Sequence, residues 1–131
     1  ARRENEFDAL INDASVRNSV PVALIKAIIR TESSFNPEAV NPSDPSAGLM
    51  QTTPPTAKAM LGRYVSIEDL KDPGPSIEAG TRFLSHLIKN YPLDDAIQMY
   101  NLGETKFLKK GARAPEYLER VKGFLSYYAG R

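Results

Sequence analysis

Apolar residues recur at helical spacing along most of the chain, and one long proline-rich stretch interrupts them. From Glu4 to Arg17, Phe7, Leu10, Ile11 and Ala14 form the first stripe. After "NSVP", Pro21 suits the first position of a second helix, where its missing N–H removes nothing from the ladder. Leu24, Ile25, Ile28 and Ile29 give that helix a broad apolar face, with an end near Glu32 or Ser33. Between Asn36 and Pro55, Pro37, Pro42, Pro45, Pro54 and Pro55 hold the chain in turns. An irregular stretch this long is functional or disordered, and the apolar Ala47–Met50 inside it argues for packing and function. A short helix is predicted from Pro55 to Leu61, closed by Gly62, and a longer one from Ile77 to Tyr91. The longer helix carries the stripe Ile77, Gly80, Leu84, Leu87, Ile88 and Tyr91. A helix from Leu93 to Tyr100, a short basic one through "ETKFLKKG" and a last one from Pro115 complete the series. In the last, Tyr117, Leu118, Val121, Phe124, Leu125 and Tyr128 share one face. No alternating run of strand length and no internal repeat competes. The prediction is a mainly α single domain over residues 1–131.

Composition narrows the chemistry. Among 131 residues there is no cysteine and one histidine, His86, so disulfides, catalytic thiols and Cys- or multi-His metal sites are excluded. No metal and no cofactor is expected. Seventeen basic against sixteen acidic residues leave a net charge of +1, no footprint for tight phosphate-backbone binding. Lys106, Lys109, Lys110 and Arg113 make a local basic cluster, read as a solvated helix face that could favour an anionic polymer, not as a nucleic-acid site. No apolar run approaches the roughly 20 residues of a membrane span. Carboxylates, hydroxyls and amides remain.

Glu32 stands out among them. It continues the stripe Ile25, Ile28, Glu32, on the face its helix buries, and it lies in the last turn, where the backbone dipole disfavours negative charge. Burial and dipole both oppose ionisation and raise a carboxyl pKa. A carboxyl kept protonated near neutral pH is what a general acid requires. The bland alternative is a side chain turned to solvent at a frayed helix end. His86 lies off the main stripe of its helix and is expected to be dispensable.

Several motifs occur in order around this glutamate. They are Glu32-Ser33, Phe35-Asn36-Pro37 with Ala39, Gly48-Leu49-Met50-Gln51, Pro55-Thr56-Ala57 and Tyr100-Asn101-Leu102-Gly103. Asp72-Pro73, Gly80 and a terminal Glu116–Val121 segment accompany them. Together they resemble the lytic transglycosylases of the soluble SLT type, whose domain has a goose-type-lysozyme-like fold, over about residues 20–128. Glu-Ser alone is weak; four motifs in order with compatible spacing are specific. The resemblance implies Glu32 as catalytic acid/base and Ser33 as a neighbour that fixes its rotamer. It implies Gly48, Met50 and Gln51 as the wall of a sugar groove, the Gln51 amide offering donor and acceptor. Met50 as core packing is an equal alternative. Tyr100 and Asn101 match a pair flanking the glutamate, with Tyr100 able to hydrogen-bond the carboxyl or the sugar. Tyr117 matches a terminal tyrosine with a mixed core and groove role.

Departures from the pattern are specific to this chain. Arg113 stands where many members carry a glutamate, which puts a carboxylate contact at that end in doubt. Met99 and Leu102 flank Tyr100-Asn101 with more bulk than the usual alanines. Thr52 and Thr53 replace a common apolar pair, and the loop Asn41–Ala47 is individual.

The resemblance implies cleavage of peptidoglycan glycan strands between N-acetylmuramic acid and N-acetylglucosamine. Glu32 protonates the glycosidic oxygen, the muramic acetamide assists departure, and Glu32 then takes the proton of the sugar's 6-hydroxyl to close a 1,6-anhydro ring. Most glycosidases need a second carboxylate; Asp44 is the best stand-in for a muramidase that admits water. A third reading is an inactive wall-binding or assembly module. The implied location is the cell envelope, periplasm or wall, or a phage virion, reached by export or delivery. The small size and the start at Ala1 fit an excised domain of a larger protein or envelope-spanning machine as well as a processed enzyme. As a domain it is expected to be a monomer.

Overall fold

The stripes fold into eight α-helices and one small hairpin among residues 2–131, which the computed structural model describes. A 3-10 turn at Arg2–Asn5 leads into α1 (Asp8–Asn18) and α2 (Val22–Ser33). The proline-rich stretch contains β1 (Val40–Asn41) and β2 (Ser46–Ala47), antiparallel, with Val40 opposite Ala47 and Asn41 opposite Ser46. Then come α3 (Pro54–Leu61), α4 (Ile67–Leu70), α5 (Pro73–Asn90), α6 (Leu93–Leu102), α7 (Glu104–Lys110) and α8 (Pro115–Ala129).

Differences from the sequence prediction have local causes. The first helix starts at Asp8 because Arg2–Asn5 winds separately, and its buried face is Phe7, Ile11 and Ala14, with Leu10 39% exposed. Pro21 caps α2 instead of opening it: its ψ of 138° is extended. Helix α5 begins four residues before Ile77. The Asp72 side chain accepts the Gly74 N–H at 3.2 Å, and Pro73 and Pro75 fall in the first turn, where no ladder N–H is needed. Helix α4 is one turn long, too short to leave an apolar stripe, yet it has a signature. Ser66 Oγ accepts from the Asp69 N–H and Asp69 Oδ2 accepts from the Ser66 N–H, both at 3.0 Å, a reciprocal capping box. The two-residue strands are too short to leave an alternating pattern.

Helices α2 and α8 pack along each other, and α1, α5 and α6 close around them. Their shared core holds Ile11, Ile25, Ile28, Ile29, Leu84, Leu87 and Ile97, all fully buried. Each such side chain stabilises the fold by roughly 1.5–3 kcal/mol on burial. A second, smaller cluster of Ala47, Ala57, Val65, Leu70 and Ala79 fastens the hairpin, α3 and α4 onto α5. The irregular stretch is thus anchored at both ends, and it carries one wall of the site. Among the described residues no helix is long and apolar enough to cross a membrane.

Candidate active site

Helix α2 ends directly after Glu32. Ser34 (φ 50°) and Phe35 (φ 63°) both take the left-handed conformation, and the Ser34 N–H closes onto the Arg30 carbonyl at 3.2 Å. Two consecutive non-glycine residues there cost energy. The buried Phe35 ring, edge-on to Tyr128 at 6.3 Å, holds the turn in place. Ser33 Oγ donates to the Leu49 carbonyl at 2.8 Å and lies 3.2 Å from the Ile29 carbonyl, so it ties the helix end to the irregular stretch. The neighbour of the glutamate therefore acts through backbone, as a local clamp.

The Glu32 carboxyl receives one hydrogen bond, from the Tyr117 hydroxyl of α8 to Oε2 at 2.7 Å. No lysine or arginine pairs with it among the described residues. Burial raises its pKa, the Tyr117 hydrogen bond works against that, and the charge of Asp44 adds to it; the balance is a pKa raised to about 7. The direction is the one the helix position predicts. The hydroxyls of Tyr117 and Tyr100 are both held well above the usual tyrosine range, first by burial and then by the Glu32 charge, so both stay protonated donors.

Tyr100 does not bond the carboxyl. Its hydroxyl donates to the Met50 carbonyl at 2.7 Å, and its ring packs on Phe83 with centroids 5.4 Å apart. Of the two contacts the resemblance leaves open for Tyr100, carboxyl or sugar, the structure does not make the first: the carboxyl contact belongs to Tyr117, 85 positions along the chain from Glu32. The available signal was the α8 stripe, which turns Tyr117 toward α2 along with Leu118 and Val121.

The Gly48–Gln51 segment is built inward. Gly48 has φ 86°, and a Cβ there would lie 1.9 Å from the Leu70 carbonyl oxygen, so only glycine fits this approach to α4. Met50 is fully buried: its N–H donates to Ser76 Oγ at 3.3 Å, and its side chain lies where Gly80 has no Cβ (2.6 Å from a built one). Of the two readings open for Met50, its burial favours core packing, and Gly48 is buried with it, because the motif encodes the close approach of this loop to α4 and α5. Gln51 takes φ 51°, and its amide explains how it is held there. Nε2 donates to the carbonyls of Ala39 and Gly48, each at 2.9 Å, and Oε1 accepts from Ser46 Oγ at 3.1 Å. Its amide locks the loop from within, with both N–H groups engaged.

A cleft of about 280 Å³ runs beside this segment. It is lined by Asp44, Gln51, Thr52, Thr53, Thr56, Phe83, Tyr100, Asn101, Leu102, Gly103 and Lys106. The Asp44 charge acts on Glu32 and the Glu32 charge acts on Tyr100, so the cleft and the carboxyl share one neighbourhood. Asn101 is exposed on the wall, where its amide is available. Phe83, Thr56 and Lys106 were not singled out as site residues from sequence; their place on the wall depends on how α3, α5 and α7 converge. His86 points outward and pairs with Glu104 at 3.1 Å. Among the described residues no three His, Asp or Glu side chains converge as a metal site would require.

Residues 9–121 match the family model for the transglycosylase SLT domain. The chain belongs to that family. Within it, similar relatives include membrane-bound lytic murein transglycosylase C of Photorhabdus laumondii, 40% identical over 99 residues, 71% of this chain and 28% of the relative. The protein of the same name from Pectobacterium atrosepticum is 41% identical over 96 residues, 69% of this chain and 27% of that one. The chain thus spans little more than a quarter of these relatives. The fold superposes on the 70 kDa soluble lytic transglycosylase of Escherichia coli with a TM-score of 0.79 at 24% identity, over 93% of this chain and 24% of that one. A complex of the 70 kDa soluble lytic transglycosylase with bulgecin A gives 0.72 at 25% identity, over 94% and 20%. The lysozyme-like helical architecture of the SLT domain is therefore present here.

Proposed function

We propose that this SLT domain is the catalytic unit of a peptidoglycan lytic transglycosylase, with Glu32 as its acid and base. The observation that carries the reading is a carboxyl raised to about pKa 7 by burial, held by one tyrosine and, among the described residues, by no cation, beside a polar cleft. The raised pKa keeps on the carboxyl, toward neutral pH, the proton that the glycosidic oxygen between N-acetylmuramic acid and N-acetylglucosamine must receive. As the proton leaves, Tyr117 donates to the carboxylate that forms, which lowers the cost of that charge. The muramic acetamide stabilises the sugar cation, and the carboxylate then accepts the 6-hydroxyl proton as the 1,6-anhydro ring closes. Glu32 ends protonated, ready for the next strand. No second carboxylate is needed, and no cofactor or metal takes part. The family and its murein-acting relatives support peptidoglycan as substrate and the cell envelope as the place of work. The share of the relatives that the chain covers supports a domain within a larger protein.

The test is product chemistry. Purified protein is expected to release muropeptides with 1,6-anhydro ends, lighter by one water than reducing ends, and Glu32→Gln to release none while keeping its fold. Clearing by that variant at the wild-type rate would sink the assignment. One observation favours a second reading, hydrolysis: the Asp44 charge reaches Glu32. Reducing ends alone, lost in Asp44→Asn, would establish it instead.

A further inference from the structure

Helix α7 is the basic feature that the proposed reaction leaves without a role. Several helix cations elsewhere are compensated, Arg17 by Glu78 at 2.6 Å, Lys26 by Asp8 at 2.8 Å and Lys122 by Asp94 at 3.2 Å, whereas Lys58, Lys89 and Arg120 pair with no carboxylate among the described residues but do not line the cleft. Lys106, Lys109 and Lys110 make no ion pair among the described residues. The one carboxylate of α7, Glu104, is engaged on the α5 side, accepting from the Tyr91 hydroxyl at 2.9 Å and meeting His86 at 3.1 Å. Arg113 does not join the cluster as a ligand group. Its guanidinium donates to the carbonyls of Phe107 (3.1 Å) and Ala112 (2.8 Å) and lies 3.7 Å over the Phe107 ring, closing the end of α7.

Of the three lysines, only Lys106 lines the cleft. Among the described residues it is the single cation of the lining and Asp44 the single anion, the rest being hydroxyls, amides, aromatic rings, Leu102 and Gly103. An uncompensated ammonium at such a place attracts an anion that arrives with the ligand, and at physiological salt its reach is about 8 Å, so only a group bound in or at the cleft is affected. A glycan strand of N-acetylglucosamine and N-acetylmuramic acid offers one class of anion: carboxylate, on the lactyl group of the muramic acid or on the peptide attached to it.

We propose that Lys106 is a specificity-determining residue that pairs with a substrate carboxylate and favours muramic-acid-containing strands in the cleft. The proposal rests on the peptidoglycan reading above. An exposed pair of this kind contributes up to about 1 kcal/mol, about fivefold in affinity. Asp44, which also lines the cleft, repels the same group.

The experiment compares two substrates: strands with their peptides intact, and strands stripped by an amidase so that only lactyl carboxylates remain. Lys106→Met keeps the aliphatic stem and removes the charge. The variant is expected to raise KM about three- to fivefold with a much smaller change in kcat. The increase is expected to shrink as salt rises, and Lys106→Arg to restore KM. The lactyl carboxyl is tied up as an amide in intact strands, so an increase confined to stripped strands assigns the lactyl carboxylate, an increase confined to intact strands a peptide carboxylate, and an increase on both means that Lys106 accepts either. Lys109→Met, off the cleft wall, should move KM less. An unchanged KM on both substrates overturns the proposal. Failure of the underlying reading looks different: wild-type protein would then cleave neither strand. Co-sedimentation of Glu32→Gln protein with and without Lys106→Met would still test the contact, equal binding overturning it.

Discussion

Two glutamates, one in each of two long helices, show what separates a chemical site from a structural one. Glu78 on α5 and Glu32 on α2 are both partly buried. Around Glu78, Arg17 approaches to 2.6 Å, Arg82 to 2.7 Å and the Asn18 amide to 3.2 Å. Burial pushes its pKa up, but these partners outweigh it and hold the carboxyl below the usual range. Around Glu32 burial is again the largest influence, a single tyrosine hydroxyl opposes it, and the carboxyl titrates near 7. The difference lies in the partners. A helix-borne glutamate with guanidiniums is a fixed anion that fastens α1 to α5. Without them it becomes an exchangeable proton.

The largest contrast is expected in turnover. Glu32→Gln should reduce glycan cleavage by at least about 10²–10⁴-fold, the scale of a lost general acid, while Glu78→Gln leaves it within twofold. In chemical denaturation the ranking reverses: Glu78→Gln should cost about 1 kcal/mol, a partly exposed network lost, with Arg17 and Arg82 left unpaired. A large activity loss in Glu78→Gln would erase the distinction.

Next in size is a pH-dependent stability effect. Glu32 has a folded pKa above the unfolded value, so its contribution is fully favourable below about pH 4.5 and is lost as pH rises through about 7. Glu32→Gln removes that loss. The variant should therefore match wild type at pH 4 and exceed it above pH 8, by at most about 3 kcal/mol, read from denaturation midpoints. Glu78, depressed, has the opposite sign.

Tyr117→Phe comes third. Loss of its hydrogen bond should move the Glu32 pKa further up and cut turnover about tenfold, since a hydrogen bond to a charged group contributes about 1.5 kcal/mol or more. Tyr100→Phe should leave that pKa nearly in place, its hydroxyl being engaged by Met50. Smallest is Asp44→Asn, which should lower the Glu32 pKa slightly because a repelling charge is gone.

How much of this the sequence revealed depends on range. Glu32 was visible because three- and four-residue spacing with Ile25 and Ile28 places it on the buried face, a purely local fact. The helices were visible for the same reason, apart from the one-turn α4 and the proline-led start of α5, where capping side chains at Ser66 and Asp72 decide the boundary. What stayed hidden was long-range. The partner of Glu32 lies on the last helix. Gly48 and Met50, which a motif alone suggests for a groove, face inward because α4 and α5 fill the space behind them. Gln51 uses its amide to hold a left-handed backbone, which residue type does not announce. The cleft itself draws on α3, α5, α6 and α7, and no single segment encodes it.

The central claim is that the Glu32 carboxyl keeps its proton to near neutrality because it is buried with no cation beside it among the described residues. Carbon-13 NMR titration of the labelled glutamate side chains tests it directly, with Glu32→Gln identifying the resonance. A midpoint near 7, far above that of Glu78 in the same spectra, is the predicted result; a midpoint at or below about 4.5 would contradict it.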